Sequence, residues 1–168
     1  MLQNTSRRLR SMFLSATVAT ALLSSCATSR NENHSPAGST PNAGLIVIES
    51  EQSYAKTVAA LDRAIRSKGL TLFTRIDHAA NAGKVNLELA ATEVFVFGNP
   101  NVGSLLMAQS RTTAIDLPQK ILVWEDAAGV HVGYNDPSWL GLRHQLEHPA
   151  LGKISGLLAG LAGAAAGR

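Results

Sequence analysis

Cysteine is almost absent from this chain: Cys26 is the only one in 168 residues. A disulfide within the chain is therefore excluded, as are a CxxC redox pair, a CxxCH haem attachment and a Cys-ligated metal cluster. Excess charge is lacking as well, once the amino terminus is set aside. Of the 15 Lys and Arg, Arg7, Arg8 and Arg10 precede Cys26 and none of the 12 Asp and Glu do, which leaves 12 of each sign in the remainder. A near-neutral remainder has no electrostatic footprint for nucleic acid, so no nucleic-acid partner is expected. The chain has no Gly-rich phosphate loop placed after a strand and no Gly-x-Ser-x-Gly elbow, and its Ser, His and Asp residues are not grouped as a triad.

Hydrophobic length is also in short supply. The apolar stretch from Met12 to Leu23 is well short of the ~20 residues a membrane-spanning helix needs. A basic start before it and small residues after it make the three parts of an export signal. Leu23-Ser24-Ser25-Cys26 resembles the lipobox of lipoprotein signal peptidase: small side chains fit beside the cleaved bond, and a thiol accepts the lipid. Residues 1–25 therefore read as a lipoprotein signal peptide and Cys26 as the lipidation site. Acyl chains such as palmitate hold a protein to a membrane at ~0.8 kcal/mol per buried methylene. Ala27, in place of Asp, matches the sorting pattern for the outer membrane, so the expected location is the cell envelope, lipid-anchored and facing the periplasm.

Residues 26–44 are rich in Ser, Asn, Pro and Gly and cannot offset the entropy of ordering, so they read as a lipidated, disordered tether. Residues 45–148 read as a single globular domain. Leu45 to Ile48 form an apolar run suited to a buried strand. Tyr54, Val58, Leu61 and Ile65 recur at spacings of four, three and four, which lines one face of a helix, with Ser53 at its start and Gly69 after its end. Leu70, Leu72, Thr74 and Ile76 alternate with Thr71, Phe73 and Arg75, as in a strand packed on one face. Val94 to Phe97 is a further buried strand, closed by Gly98-Asn99-Pro100, and residues 101–110 suit a short helix. Ile121 to Trp124 and Val130 to Tyr134 flank a turn containing Gly129 and form a hairpin. Asp136 before Pro137 starts a last helix that runs to about Leu146.

The fold class this predicts is α+β, a two-layer domain with a mainly antiparallel sheet, helices on one side and the order β-α-β-β-β-β-α. Residues 149–168, interrupted by Gly156, Gly160 and Gly163, read as a flexible tail. The alternative is a helix-pairing or membrane-touching segment that uses the Gly156-x-x-x-Gly160 spacing.

Three stretches carry a family likeness: Arg75-Ile76-Asp77-His78-Ala79-Ala80-Asn81-Ala82; Phe97-Gly98-Asn99-Pro100 with Gly103 and Leu106-Met107; and Ile115-Asp116-Leu117-Pro118 leading into Val123-Trp124-Glu125-Asp126. Together they resemble the prokaryotic domain-of-unknown-function family 302 over most of residues 45–146. The resemblance implies a TATA-binding-protein-like topology, often a homodimer, and no established reaction. The DNA binding of that topology's namesake does not travel with the fold.

Asp77 and His78 are the candidate acid/base pair, since a carboxylate can tune an imidazole for general-base work. Neighbouring side chains on a strand point to opposite faces, so the alternative is a hydrogen-bonded loop histidine that positions the turn after Phe97. His78, Asn99 and Met107 are the candidate ligand-binding residues, and His and Met could ligate a non-covalent haem. Asp116 is expected to accept backbone hydrogen bonds at a strand end. His144-Gln145-Leu146-Glu147-His148 matches H-x-x-E-H, which on a helix would hold zinc through His144 and His148 while Glu147 activates water. Pro149 follows at once and no Asp or Glu remains downstream, which favours a frayed helix end, so no metal or other cofactor is expected. Three functions follow: a tethered module binding a small ligand or an envelope protein, as a homodimer; an envelope enzyme using Asp77 and His78; or a purely structural lipoprotein.

Overall fold

The computed structural model describes residues 44–168. The expected signal peptide, Cys26 and the expected tether up to residue 43 lie outside the described residues. Five strands are present: β1 (Leu45–Glu49), β2 (Thr71–Asp77), β3 (Thr92–Gly98), β4 (Gln119–Asp126) and β5 (Gly129–Asn135). Interleaved with them are α1 (Tyr54–Ser67), α2 (His78–Gly83), α3 (Pro100–Gln109), a 3-10 turn (Arg111–Ile115), α4 (Pro137–His144) and α5 (Ala150–Ala166). The strands form one sheet in the order β1-β5-β4-β3-β2, with every neighbouring pair antiparallel. The α+β class and the two-layer arrangement are as the sequence predicts.

Alternation along the central strands divides the sheet into two faces. Phe95 and Phe97 on β3, Ile121 and Val123 on β4 and Val132 on β5 are fully buried on one face, and Leu61 and Ile65 of α1 join them in the core. On the other face the rings of Trp124 and His131 stack with centroids 5.0 Å apart. Gly133 gives this pair room, because a Cβ there would lie 3.0 Å from the Trp124 ring.

Four local expectations hold in detail. Gly69 follows α1 in the left-handed region at φ +66°, the hairpin joins β4 to β5, and Asp136 caps α4 by accepting from the Ser138 N–H at 2.9 Å with Pro137 in the first turn. Residues 101–110 are helical almost throughout. Ser53 occupies the N-cap position of α1, but its side chain makes no capping bond. The Thr57 hydroxyl bonds the Ser53 carbonyl at 3.0 Å instead.

Other expectations are corrected. The register of β2 against β3 shifts between Leu72 and Thr74, so one extra residue, Phe73, reverses the alternation. Leu72 packs on the core, Thr74 and Ile76 sit opposite Val96 and Val94 of the outer face, and Arg75 sits opposite Phe95. Gly44, placed in the tether by its composition, belongs to the fold. It has φ +76°, a Cβ there would clash with the Trp139 ring, and its carbonyl accepts from the Asp136 N–H at 2.8 Å.

The largest correction concerns residues 149–168, which are not a flexible tail. They form α5, packed on α1 and the sheet, with Ile154, Leu158, Leu161, Ala162 and Ala165 buried in the core. The four glycines of α5 disfavour helix by about 4 kcal/mol in total relative to alanine. Burying three large aliphatic side chains returns ~1.5–3 kcal/mol each, and the buried alanines add to that. Within the domain no other element packs closely against Gly156 or Gly160, where Cβ atoms would meet open space. Among the described residues no helix is long and apolar enough to cross a membrane.

Candidate ligand-binding site

The chain turn at Gly98-Asn99-Pro100 sets up the site. Asn99 Oδ1 accepts from the Asn101 N–H at 3.0 Å, and Pro100 occupies the first turn of α3. These two features start α3 at the end of β3 and swing Val102, Leu106 and Met107 away from the sheet edge. On the opposite side α5 begins after His148, whose Nδ1 accepts from the Ala150 N–H at 3.0 Å. Between the two helices lies a cavity of about 610 Å³, walled by Leu70, Phe73, Phe97, Met107, Ile154 and Leu157 among others. That volume falls in the ~300–1,000 Å³ range of small-molecule sites.

Polar groups are few in these walls. Gln119, paired across the ladder with Phe97, is only 8% exposed and has no hydrogen-bond partner for its side chain among the described residues. Among the described residues no side-chain nitrogen or oxygen sealed from solvent lacks a partner, so the Gln119 amide reaches space a water molecule can enter. Gln119 lines the cavity. Lys153, in the first turn of α5, also lines it and makes no ion pair among the described residues.

Asn99 and Met107 are in the cavity wall, as the sequence suggests, but His78 is not. Thr71 of β2 pairs with Gly98 while Asp77 pairs with Glu93, so His78 lies at the far end of that strand, about 20 Å from Asn99 at ~3.3 Å per residue. His78 therefore does not share the cavity with Met107, and the structure does not bring the two together as haem ligands. Nor do Asp77 and His78 form an acid/base pair. Both are exposed, and Asp77 Oδ1 accepts from the Ala80 N–H at 2.8 Å, which caps the short helix α2 that begins at His78.

The H-x-x-E-H spacing is broken by the backbone. α4 stops at His144, Gln145 turns left-handed at φ +50°, and His148 lies beyond the helix. Both ring nitrogens of His144 are occupied, Nε2 by Asp116 Oδ2 at 2.5 Å and Nδ1 by the Thr112 hydroxyl at 3.0 Å. A carboxylate only accepts, so Nε2 carries a proton, and Nδ1 is held by the Thr112 hydroxyl, which leaves neither nitrogen free for a metal. Asp116 thus serves His144, and Arg143 at 3.4 Å, rather than backbone N–H groups. No cluster of three or more His, Cys, Asp or Glu suited to a metal occurs among the described residues.

Sequence reasoning missed Gln119, Lys153 and the Asp116–His144–Thr112 chain. Nothing in the sequence singles out Gln119 or the chain. Lys153 carried a signal, as a lone cation at the head of an apolar segment. Also missed was Glu93, 7% exposed, which binds Arg75 through two hydrogen bonds of 2.5 and 3.0 Å while the guanidinium lies 4.6 Å from the Phe95 ring centroid. Beside this pair, burial and then the Glu93 charge push the Tyr54 phenol up to about 12. Burial lowers the Lys120 pKa, and its amino group donates to the carbonyls of Asp116 and Pro118 at 2.9 and 3.0 Å.

The sheet, the helical layer and the lateral cavity define a two-layer α+β domain. The chain belongs to the family described as domain of unknown function DUF302, which matches residues 46–161 and so takes in most of α5. An uncharacterized conserved protein DUF302 from Bacillus stearothermophilus has the same fold in its crystal structure. Its TM-score is 0.65 at 15% identity, covering 73% of this chain and 98% of that one. Among curated proteins the chain is 43% identical over 112 residues to the fluoride-specific ion channel FluC 1 of Brucella suis biovar 1 (strain 1330), covering 66% of this chain and 44% of that protein. FluC 2 of Brucella melitensis biotype 1 matches equally well, with 42% of its length covered. The chain therefore spans less than half the length of these curated relatives.

Proposed function

We propose that this protein is an envelope lipoprotein, tethered through lipid on Cys26, whose domain binds a small apolar ligand in the cavity between α3 and α5. The cavity carries this reading: about 610 Å³ of largely apolar wall is costly to leave filled only by water, and the Gln119 amide offers a bound molecule a hydrogen bond. The lipobox supports the membrane tether. The Brucella relatives support a role beside a membrane, because the matched segment there is part of proteins named as ion channels. The fluoride ion itself is a poor fit for this cavity, since a small, strongly hydrated anion gains nothing from apolar walls.

The homodimer that the family resemblance implies finds support at Val85, Leu87 and Leu89, which are 64%, 65% and 49% exposed. Three large apolar side chains exposed within five residues are suited to burial by a second copy.

Native mass spectrometry tests the ligand reading on residues 44–168. These residues hold the whole of the described fold, and that fold accounts for 98% of the crystallised Bacillus chain. A small molecule retained by the wild-type domain and lost in Gly103→Phe supports the proposal. A Cβ at Gly103 meets only the Met107 methyl at 4.0 Å, so the added ring has room to grow into the cavity. A bare domain that also fails to take up apolar ligands would sink it in favour of a purely structural lipoprotein.

A further inference from the structure

Both long helices that border the cavity start at it. Asn99 and Pro100 at the head of α3, and His148, Pro149 and Ala150 at the head of α5, all belong to its wall. The free N–H groups and the dipole of a helix start make the local potential positive, and acidic residues in the first turn normally compensate for this. Neither helix has one. α5 instead carries Lys153 in its first turn, a position that disfavours the helix and adds to the positive potential. Among the described residues no Asp or Glu lines the cavity; Glu147 precedes His148 in sequence but is not in the wall.

The Gln119 amide is an independent pointer. Its side chain is more than nine-tenths buried and unpaired among the described residues, and Gln119 lines both the cavity and the small void beside His144. Its NH₂ group can donate to an oxygen of a bound molecule. Lys153 and the Gln119 amide, with Asn99, Ser104 and His148 as the other polar wall residues and no acid among them, suit a single negative charge, and the remaining wall suits a hydrocarbon.

Building on the cavity as a ligand site, we propose that its ligand is a single-chain apolar carboxylate of the fatty-acid class. The chain lies against Leu70, Phe97, Met107, Ile154 and Leu157. The carboxylate is drawn to the helix starts and Lys153, and the Gln119 amide supplies a hydrogen bond.

Isothermal titration of residues 44–168 with dodecanoate, dodecanol and dodecylammonium, each below its micelle concentration, separates the two levels of the argument. Dodecanoate is expected to bind about fivefold more tightly than dodecanol, the scale of a solvent-exposed ion pair, with dodecylammonium weakest. Lys153→Gln, at an exposed position, should bring dodecanoate down towards dodecanol. Equal binding of dodecanoate and dodecanol, or tightest binding of dodecylammonium, overturns the carboxylate assignment while leaving the cavity as an apolar site. Failure of all three to bind, in the wild type as in Gly103→Phe, overturns both.

Discussion

Asp116 and His144, distant in sequence, meet through a 2.5 Å hydrogen bond, with the imidazole almost wholly buried and the carboxylate nearly so. The bond ties the end of α4 to the segment leading into β4. Thr112 and the Ser110 hydroxyl, which donates to the His144 carbonyl at 3.1 Å, complete the fastening. The geometry is that of a nucleophile relay, but Thr112 lines neither the cavity nor the small void beside His144. Its evident work is structural.

His144→Ala should therefore destabilise the domain by about 2–3 kcal/mol, because it leaves a nearly buried carboxylate without its partner. Urea unfolding should show a lower midpoint at an unchanged slope. A loss below about 0.5 kcal/mol, the range of ordinary surface substitutions, would mean the bond contributes little.

A chain ending at residue 148 should fail to fold, because α5 supplies Leu158, Leu161, Ala162 and Ala165 to the core. Leu158→Ala in the complete domain should cost about 2–5 kcal/mol through the cavity it leaves. Gly156→Ala should act the other way and stabilise by up to about 1 kcal/mol, since a Cβ there meets open space on a helix. Circular dichroism melts distinguish these outcomes from those of a dispensable tail, for which all three changes would be silent.

Alkaline pH should weaken the fold through Tyr54. Its phenol ionises at about 12 in the folded chain against an ordinary 10, so between these values the unfolded state gives up the proton first. Stability contributed by the neutral phenol is thus complete below pH 10 and lost as the pH rises towards 12. Tyr134, raised by burial and the Asp136 charge, acts in the same direction. Unfolding midpoints across this range should fall less steeply for Tyr54→Phe than for the wild type. Parallel curves would remove Tyr54 from the account.

Cys26→Ser in the full chain should abolish lipid attachment, read as the loss of acyl-chain mass from the intact protein; acyl mass that survives the change would place the lipid elsewhere.

Spacing along the chain determined the α+β class, helix α1, the hairpin and the cap of α4, because each depends on residues within a turn or two of one another. The 4-3-4 spacing of Tyr54, Val58, Leu61 and Ile65 predicts a buried helix face and delivers one. Ile154, Leu158, Leu161 and Ala165 repeat the same spacing in α5, but the interleaved glycines masked it. Intrinsic propensity there argues for a tail, and only burial against α1 and the sheet reverses the balance.

The site itself was decided by tertiary structure. Asn99 and Met107 were legible together because one helix carries both, Asn99 as the N-cap of α3 and Met107 two turns on. His78 was grouped with them only by sequence likeness, and the length of β2 carries it to the other end of the sheet. Gln119, Phe97 and Lys153 come from three distant segments that share one cavity, and Asp116 reaches His144 across a hairpin and a helix. Local patterns report which face a residue presents. What that face meets depends on how the chain returns, and a cavity whose walls come from β2, β3, β4, α3 and α5 exists only after all five have packed.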